Sequence, residues 1–529
     1  MSGTGGGRTN RRWSVFAAGL ACLALVTTGG VLAARAAEHS AFALLTPEPA
    51  PPSTTSVATT GAPSPTVAAS GTTAAATPSG TEAPPSTAAP TTAAPPTVAA
   101  PPRVPPAGQH PFATAVSADH RYLVDQYGAP FLVRGDSPWA LLTDVSPAQA
   151  TTYFTTRARQ GFNSAIMSLL GATENGAPYD DGRTFDGIAP FVGGDVTSWN
   201  EPYWQRAHAY LKAAYDAGIT VFLYPIDGWA PGHSFNPSSS QQCRVYGRMV
   251  GQRFADLPNI AWMVGGDYFP KTGDLAAGSD LDHCMDAMLQ GLRDAGLTPL
   301  VSIQLGYQRS ASTDNPFWAP RVDWNFVYTY YPSYPAVRDA FAVSPTMPAI
   351  LGETYYEGER SGSGGTTQAD GVRRQVLWAL TSGAAGDFFG TADWKFNPGW
   401  EGRLDSAGAR QVNVVRTAFA SLRWWQLRPD TGHPLVTSDR GTYFQGDQLI
   451  DVMTNDYVTA ASTPDGQQAV VYVPSQPSVT VDLGALAPGR RATWVDPASG
   501  AVHPAGAGPR FVTPGRNSAG GQDWLLVLQ

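Results

Sequence analysis

The chain has 529 residues, more than one ordinary domain needs, with a formal net charge of -8 and a pI of about 5.5. That balance excludes the basic patch a nucleic acid or an anionic membrane surface would require. Only 14% of residues are charged while 11% are aromatic, with 15 Trp, which suits a large core and also suits stacking on sugar rings.

The N-terminus carries Arg8, Arg11 and Arg12 ahead of an apolar stretch over 13–32, followed by Ala34-Arg35-Ala36. A basic region, an apolar region and a small-x-small site describe an export signal, and the stretch is also long enough to serve as an uncleaved anchor. Either way, residues 1–37 would put the remainder outside the cell, secreted or anchored at its surface. Residues 38–110 are dominated by Pro, Ala, Thr, Ser, Gly and Val. Such a segment cannot bury enough apolar surface to order itself, and reads as an extended stalk.

Globular character begins near Pro111. A hairpin with a turn at Tyr127-Gly128-Ala129-Pro130 leads into a first strand that ends in Arg134-Gly135-Asp136. Ser146 then caps a helix over 146–160, stopped by Gly161. Strand and helix signals alternate from there. Strands are predicted at 163–170, 219–224, 260–267, 299–305, 326–330, 349–353 and 386–391. Helices are predicted at 199–217, 239–257, 281–295, 367–380 and 407–422. Eight apolar strands, most of them followed by a helix, imply a parallel sheet covered on its outside and closed into a (β/α)8 barrel over 111–430. An open doubly wound sheet would show a Gly-rich phosphate loop after its first strand; Gly135-Asp136-Ser137-Pro138-Trp139 is not one. From 431 to 529 helical periodicity stops. Short alternating runs at 469–473, 478–482, 492–495 and 524–528, separated by turns such as Pro464-Asp465-Gly466, predict a small antiparallel β-sandwich. Of three Cys, Cys243 and Cys284 fall on consecutive outer helices, where an exported protein either joins them or keeps two buried thiols. No Cys/His spacing suggests a metal site, and no cofactor is expected.

Two apolar runs stop abruptly at a carboxylate: Ile260-Ala261-Trp262-Met263-Val264-Gly265-Gly266-Asp267 and Pro348-Ala349-Ile350-Leu351-Gly352-Glu353. These are strands four and seven, on opposite sides of the barrel, and catalytic groups of such barrels gather at the C-terminal rim. Two carboxyls facing each other there suffice to hydrolyse a glycosidic bond, with Asp267 as acid/base and Glu353 as nucleophile if the enzyme retains configuration. Asp136, Asp227, His233 and Gln304 end or follow other strands and are candidates for binding sugar hydroxyls, with a structural ion pair the competing role for the two acids. Asp387 reads as structural, and Glu357 and Glu359 as loop charges. Aromatics crowd the same rim: Trp139, Trp229, Tyr268, Tyr328, Tyr330, Tyr331, Tyr355 and Trp394. Their faces would stack on the C–H faces of sugar rings.

At these residues the chain resembles the apiosidase-like glycoside hydrolases. The resemblance rests on Gly135-Asp136-Ser137-Pro138-Trp139, on Arg157 with Gly161-Phe162-Asn163, on Gly265-Gly266-Asp267, on Gly352-Glu353-Thr354, on Trp424-Trp425-Gln426-Leu427-Arg428-Pro429-Asp430, and on the closing Asp523-Trp524-Leu525-Leu526-Val527-Leu528. It implies a (β/α)8 enzyme with a C-terminal β-sandwich often labelled collagen-binding, and it implies that Asp267 and Glu353 are catalytic. Pro138 stands where the family more usually has Ala, and no His follows strand six in Tyr328-Thr329-Tyr330-Tyr331-Pro332. The expectation is an exported, monomeric hydrolase of a pentose- or furanose-bearing carbohydrate. Its rival is a non-catalytic carbohydrate- or matrix-binding protein on the same scaffold.

Overall fold

A computed structural model describes residues 108–268, 279–306, 309–360, 365–446 and 449–529. The predicted export signal and nearly all of the predicted stalk lie outside the described residues.

Eight parallel strands follow the predicted order: β1 (Val133–Asp136), β2 (Ser164–Ser168), β3 (Thr220–Tyr224), β4 (Ile260–Tyr268), β5 (Val301–Leu305), β6 (Asn325–Thr329), β7 (Ala349–Glu353) and β8 (Ala384–Phe389). Apart from Asp267, every residue of β2 through β8 is buried, as strands enclosed on both faces must be. Around them stand α1 (Pro147–Arg159), α2 (Glu201–Asp216), α3 (Ser240–Arg253), α4 (Asp280–Asp294), α5 (Ser333–Phe341), α6 (Ala369–Leu380) and α7 (Ala407–Ala420). Capping begins α1 where the sequence places it: Ser146 Oγ accepts from the Gln149 N–H, and the Gln149 side chain returns to the Ser146 backbone. Strand β6 is followed by the short helix α5, which periodicity did not reveal because Pro332 and Pro335 interrupt the pattern.

The ladder runs β5-β4-β3-β2-β1-β8-β7-β6, extended by an antiparallel strand, Arg309–Ala311, paired to β6. Closure between β5 and β6 is made through a side chain. Ser312 Oγ donates to the Ile303 carbonyl at 2.7 Å and accepts the Phe326 N–H at 2.8 Å, so one hydroxyl stands in for a ladder bond. Cys243 on α3 and Cys284 on α4 are joined in a disulfide, with Cα atoms 5.4 Å apart.

The C-terminal part forms two antiparallel sheets, one of six strands and one of three. Three of the four runs read from the sequence are strands as read, and the fourth is Ser478–Val481. Arg428–Pro429, Val436–Ser438, Thr459–Ser462, Val502–Pro504 and Arg510–Val512 are additional. Trp494 and Trp524 are core residues. This unit covers α6, whose residues from Gly371 to Leu380 are all buried. Arg373 pairs with Asp523 at 2.6 and 2.9 Å, Arg374 donates to the Asn455 carbonyl at 2.8 Å, and Trp378 Nε1 donates to the Tyr457 carbonyl at 2.8 Å.

Candidate active site

Asp267 and Glu353 each owe their position to an interruption of strand register. Along β4, Gly265 sits opposite Gln304 but Tyr268 sits opposite Leu305, so Gly266 and Asp267 are extra residues on β4. The bulge is left-handed: φ is 82° at Gly265, 97° at Gly266 and 47° at Asp267. Only glycine adopts such angles without penalty, and a Cβ at Gly265 would lie 2.2 Å from the Gln304 carbonyl oxygen. Strand β7 has one extra residue against β6, since Val327 faces Leu351 and Tyr328 faces Glu353. Gly352 is the residue passed over, and the Phe326 ring fills the space its Cβ would need.

Glu353 is 8% exposed. Its Oε2 accepts from Gln304 Nε2 at 2.7 Å, and Gln304 Oε1 accepts from the Tyr224 hydroxyl at 2.9 Å. The first bond fixes the amide's orientation, and Tyr224 locks it. The Tyr356 hydroxyl also bonds to Glu353, and itself accepts from Trp139 Nε1 at 2.7 Å. Burial pushes the Glu353 carboxyl well above the ordinary carboxylate range, and the Asp267 charge adds to that push. The bonds from Gln304 and Tyr356 act in the opposite sense, because they favour the charged carboxylate. Tyr224, Tyr328, Tyr330 and Tyr356 have hydroxyls pushed well up by burial and by the charge of Glu353, so they stay protonated. Three of them also feel Asp267. Tyr328 and Tyr330 share a hydrogen bond at 2.9 Å, and Tyr330 stacks on Tyr355 with centroids 5.0 Å apart.

The structure brings Gln304, Tyr328, Tyr330 and Trp139 to the carboxylate pair. Trp139 joins through Tyr356 and packs against Tyr224 at 5.1 Å. It directs other sequence candidates elsewhere. Asp136 turns outward to α1, where its carboxylate is held by Arg157 Nε at 2.5 Å and by the Tyr153 hydroxyl. This is the structural ion pair weighed for it. Asp227 is fully buried and ties two loops together: it accepts from Asn175 Nδ2 at 2.5 Å and from the N–H groups of Trp229 and Ala230 at 3.0 and 2.9 Å. Trp229 remains half-buried on that loop. Tyr268 follows the bulge and points the other way, to Asp282 Oδ1 at 2.8 Å and Ser279 Oγ at 3.0 Å on the α4 side. His233 lies between two carboxylates, Asp180 at 3.6 Å and Glu174 at 4.0 Å. These three residues hold donor atoms within 4.8 Å of one another, the donor set a divalent cation would use.

Two acids read as loop charges are otherwise engaged. Glu357 Oε1 accepts the Gly408 N–H at 2.8 Å, and its other oxygen takes the Ser406 hydroxyl, so it caps the start of α7. Glu359 Oε1 accepts from Trp394 Nε1 at 2.5 Å, and its charge is felt at Glu353. Asp387 is structural as read, in a buried pair with Arg416.

Residues 117–426 match the family described as the apiosidase-like catalytic domain, and residues 447–529 match the one described as "Putative collagen-binding domain of a collagenase". No curated protein matches the sequence. Among solved structures, one described as a glycoside hydrolase is 18% identical, with a TM-score of 0.67, covering 79% of this chain and 96% of its own. A glycoside hydrolase family 5 structure from Bacteroides vulgatus is also 18% identical, with a TM-score of 0.65, covering 79% of this chain and 93% of its own. At that identity the likeness is one of fold.

Proposed function

The chain belongs to the apiosidase-like glycoside hydrolases, and from that premise we propose that it is an exported, configuration-retaining enzyme acting on a pentose- or furanose-bearing polysaccharide or glycoside. The observation that carries this reading is the pair of rim carboxyls: Asp267 and Glu353, from bulged ends of β4 and β7, interact electrostatically inside a wall of protonated tyrosines.

The two coupled carboxyls share one proton, and in the reactive state it sits on Asp267, which gives it to the departing glycosidic oxygen while the Glu353 carboxylate attacks the anomeric carbon. The glycosyl ester on Glu353 is then opened by water, whose proton returns to the Asp267 carboxylate. Gln304 and Tyr356 hold the attacking oxygens in place through bonds that favour the carboxylate over the acid. Tyr328 and Tyr330 supply donors for substrate oxygens, and their ring faces, with Trp139 and Trp394, supply apolar contact.

Export is supported by Arg8, Arg11 and Arg12 before the apolar stretch and by the Cys243–Cys284 bond, a linkage suited to an oxidising compartment. The C-terminal sheets support the barrel through α6; their Trp residues are core, which argues against an aromatic binding patch there. The test is hydrolysis of a panel of aryl pentosides and of plant and bacterial wall polysaccharides. Activity should be present in the wild type and fall by about a thousandfold or more in Asp267→Asn and Glu353→Gln. Hydrolysis that survives both substitutions rejects the mechanism.

A further inference from the structure

Beyond β7 the chain continues along the loop that follows β8. The Glu357 N–H donates to the Gly390 carbonyl at 2.9 Å and the Ala392 N–H donates back to the Glu357 carbonyl at 2.8 Å. Two residues on, the Thr367 N–H donates to the Glu359 carbonyl at 2.7 Å and the Gly358 N–H to the Thr367 carbonyl at 2.9 Å, so the backbone of Glu359 is pinned on both sides. Its side chain meets Trp394 from the β8 loop at 2.5 Å. Lys395 Nζ lies 4.5 Å from the centre of the same indole and lowers the cost of a charge on Glu359. Both Glu359 and Trp394 are half-buried. The carboxylate is near enough to the attacking acid for its charge to be felt there and at Tyr330. A carboxylate fixed by one oxygen to the N–H of a half-buried indole is an arrangement that can take a sugar ring: hydroxyl on the acid, C–H groups on the aromatic beside Lys395.

We propose that Glu359 is a third carboxylate of the active site, binding a hydroxyl of the sugar seated at Glu353 in concert with the ring of Trp394. This rests on the hydrolase reading above. A structural role for Glu359 would only hold Trp394 in place. The proposed role has two further consequences. Substrate binding depends on the acceptor oxygen. The negative charge of Glu359 also makes ionisation of Glu353 harder, so removing it moves the acid limb of kcat/KM to lower pH.

The experiment compares wild type, Glu359→Gln and Trp394→Phe on whichever glycoside of the panel is cleaved fastest. Glu359→Gln should lose roughly tenfold or more in kcat/KM, mostly through KM, since a hydrogen bond to a charged acceptor is lost. Its acid limb should move down in pH. Trp394→Phe keeps an aromatic ring and removes the indole N–H; it should raise KM without moving the limb as far. A Glu359→Gln enzyme with wild-type KM and an unmoved limb overturns the proposal, whatever the state of the hydrolase reading. If the wild type cleaves nothing, the hydrolase reading fails, and the inference is judged by carboxyl carbon-13 NMR of Glu353, assigned with Glu353→Gln. A lower titration midpoint in Glu359→Gln upholds the place of Glu359 beside Glu353, and an unchanged one overturns it.

Discussion

Glu353 is held in a setting that favours chemistry over stability. Burial and the Asp267 charge raise its carboxyl well above the ordinary range, while Gln304 and Tyr356 steady the ionised form. In the unfolded chain the same group ionises near pH 4.3. Its folded pKa is raised, so the contribution of Glu353 to stability is full below that pH and is lost as pH rises toward the folded value. Glu353→Gln should therefore melt higher than the wild type at pH 7, by a margin that shrinks as pH falls to about 4. Thermal unfolding at the two pH values checks this; an equal or lower Tm at pH 7 contradicts it. At this scale the sequence was legible where an apolar run stopped at an acid, as at the ends of β4 and β7, because an enclosed strand rarely holds an acid inside it without a buried counter-charge such as Arg416 gives Asp387. Asp136 carried the same signal, but its partner Arg157 lies one helix later, and spacing does not say which way a strand-end side chain turns. Glu359 carried no signal at all, since its neighbour Trp394 belongs to another loop.

Strand β4 shows what an element contributes to such a site. Its regular part, Ile260 to Val264, packs the barrel, and its final glycines turn the chain out of register to present Asp267. Gly265→Ala sets a Cβ against the Gln304 carbonyl and fixes a φ of 82° on a residue with a side chain. The expected loss is at least about 1–2 kcal/mol of stability from the backbone angle alone, and activity should fall more steeply than stability because Gln304 also holds Glu353. Denaturant unfolding and kcat measured together test this; a variant of wild-type stability and rate contradicts it. The glycines were visible in the sequence, but the bulge was not. Register shifts depend on which residues face each other across strands, and periodicity along one strand does not encode that. The barrel strands themselves were readable to within a few residues because their apolar runs are short and bounded by glycine or proline. Helix α5 was not, because Pro332 and Pro335 break the pattern of a segment buried along nearly its whole length, and neither were the short strands Val502–Pro504 and Arg510–Val512, since three mostly exposed residues give no period to detect.

As a whole molecule, the barrel and the C-terminal sheets are bound through α6. Arg373 is fully buried, and Asp523 balances its charge five residues from the end of the last strand. Asp523→Asn would leave that guanidinium without its counter-charge, at a cost of about 3–5 kcal/mol. The prediction is a lower Tm with one shared transition for barrel and sheets; a separate melting of the C-terminal part would contradict it. A loop of the C-terminal part also reaches the rim: Phe444, in the irregular segment after Val436–Ser438, stacks on Tyr331 at 5.5 Å, next to the Tyr330 that feels both carboxyls. The two-part architecture was legible from the loss of helical periodicity near 430, whereas this contact, 113 positions apart along the chain, was not. The most direct test of the central claim is to locate the covalent intermediate. In Asp267→Ala, an aryl glycoside with a good leaving group should still glycosylate the enzyme, while hydrolysis of the ester slows for want of a general base. Peptide mass spectrometry should then find one sugar attached to Glu353; no adduct, or an adduct on any other residue, would contradict the account.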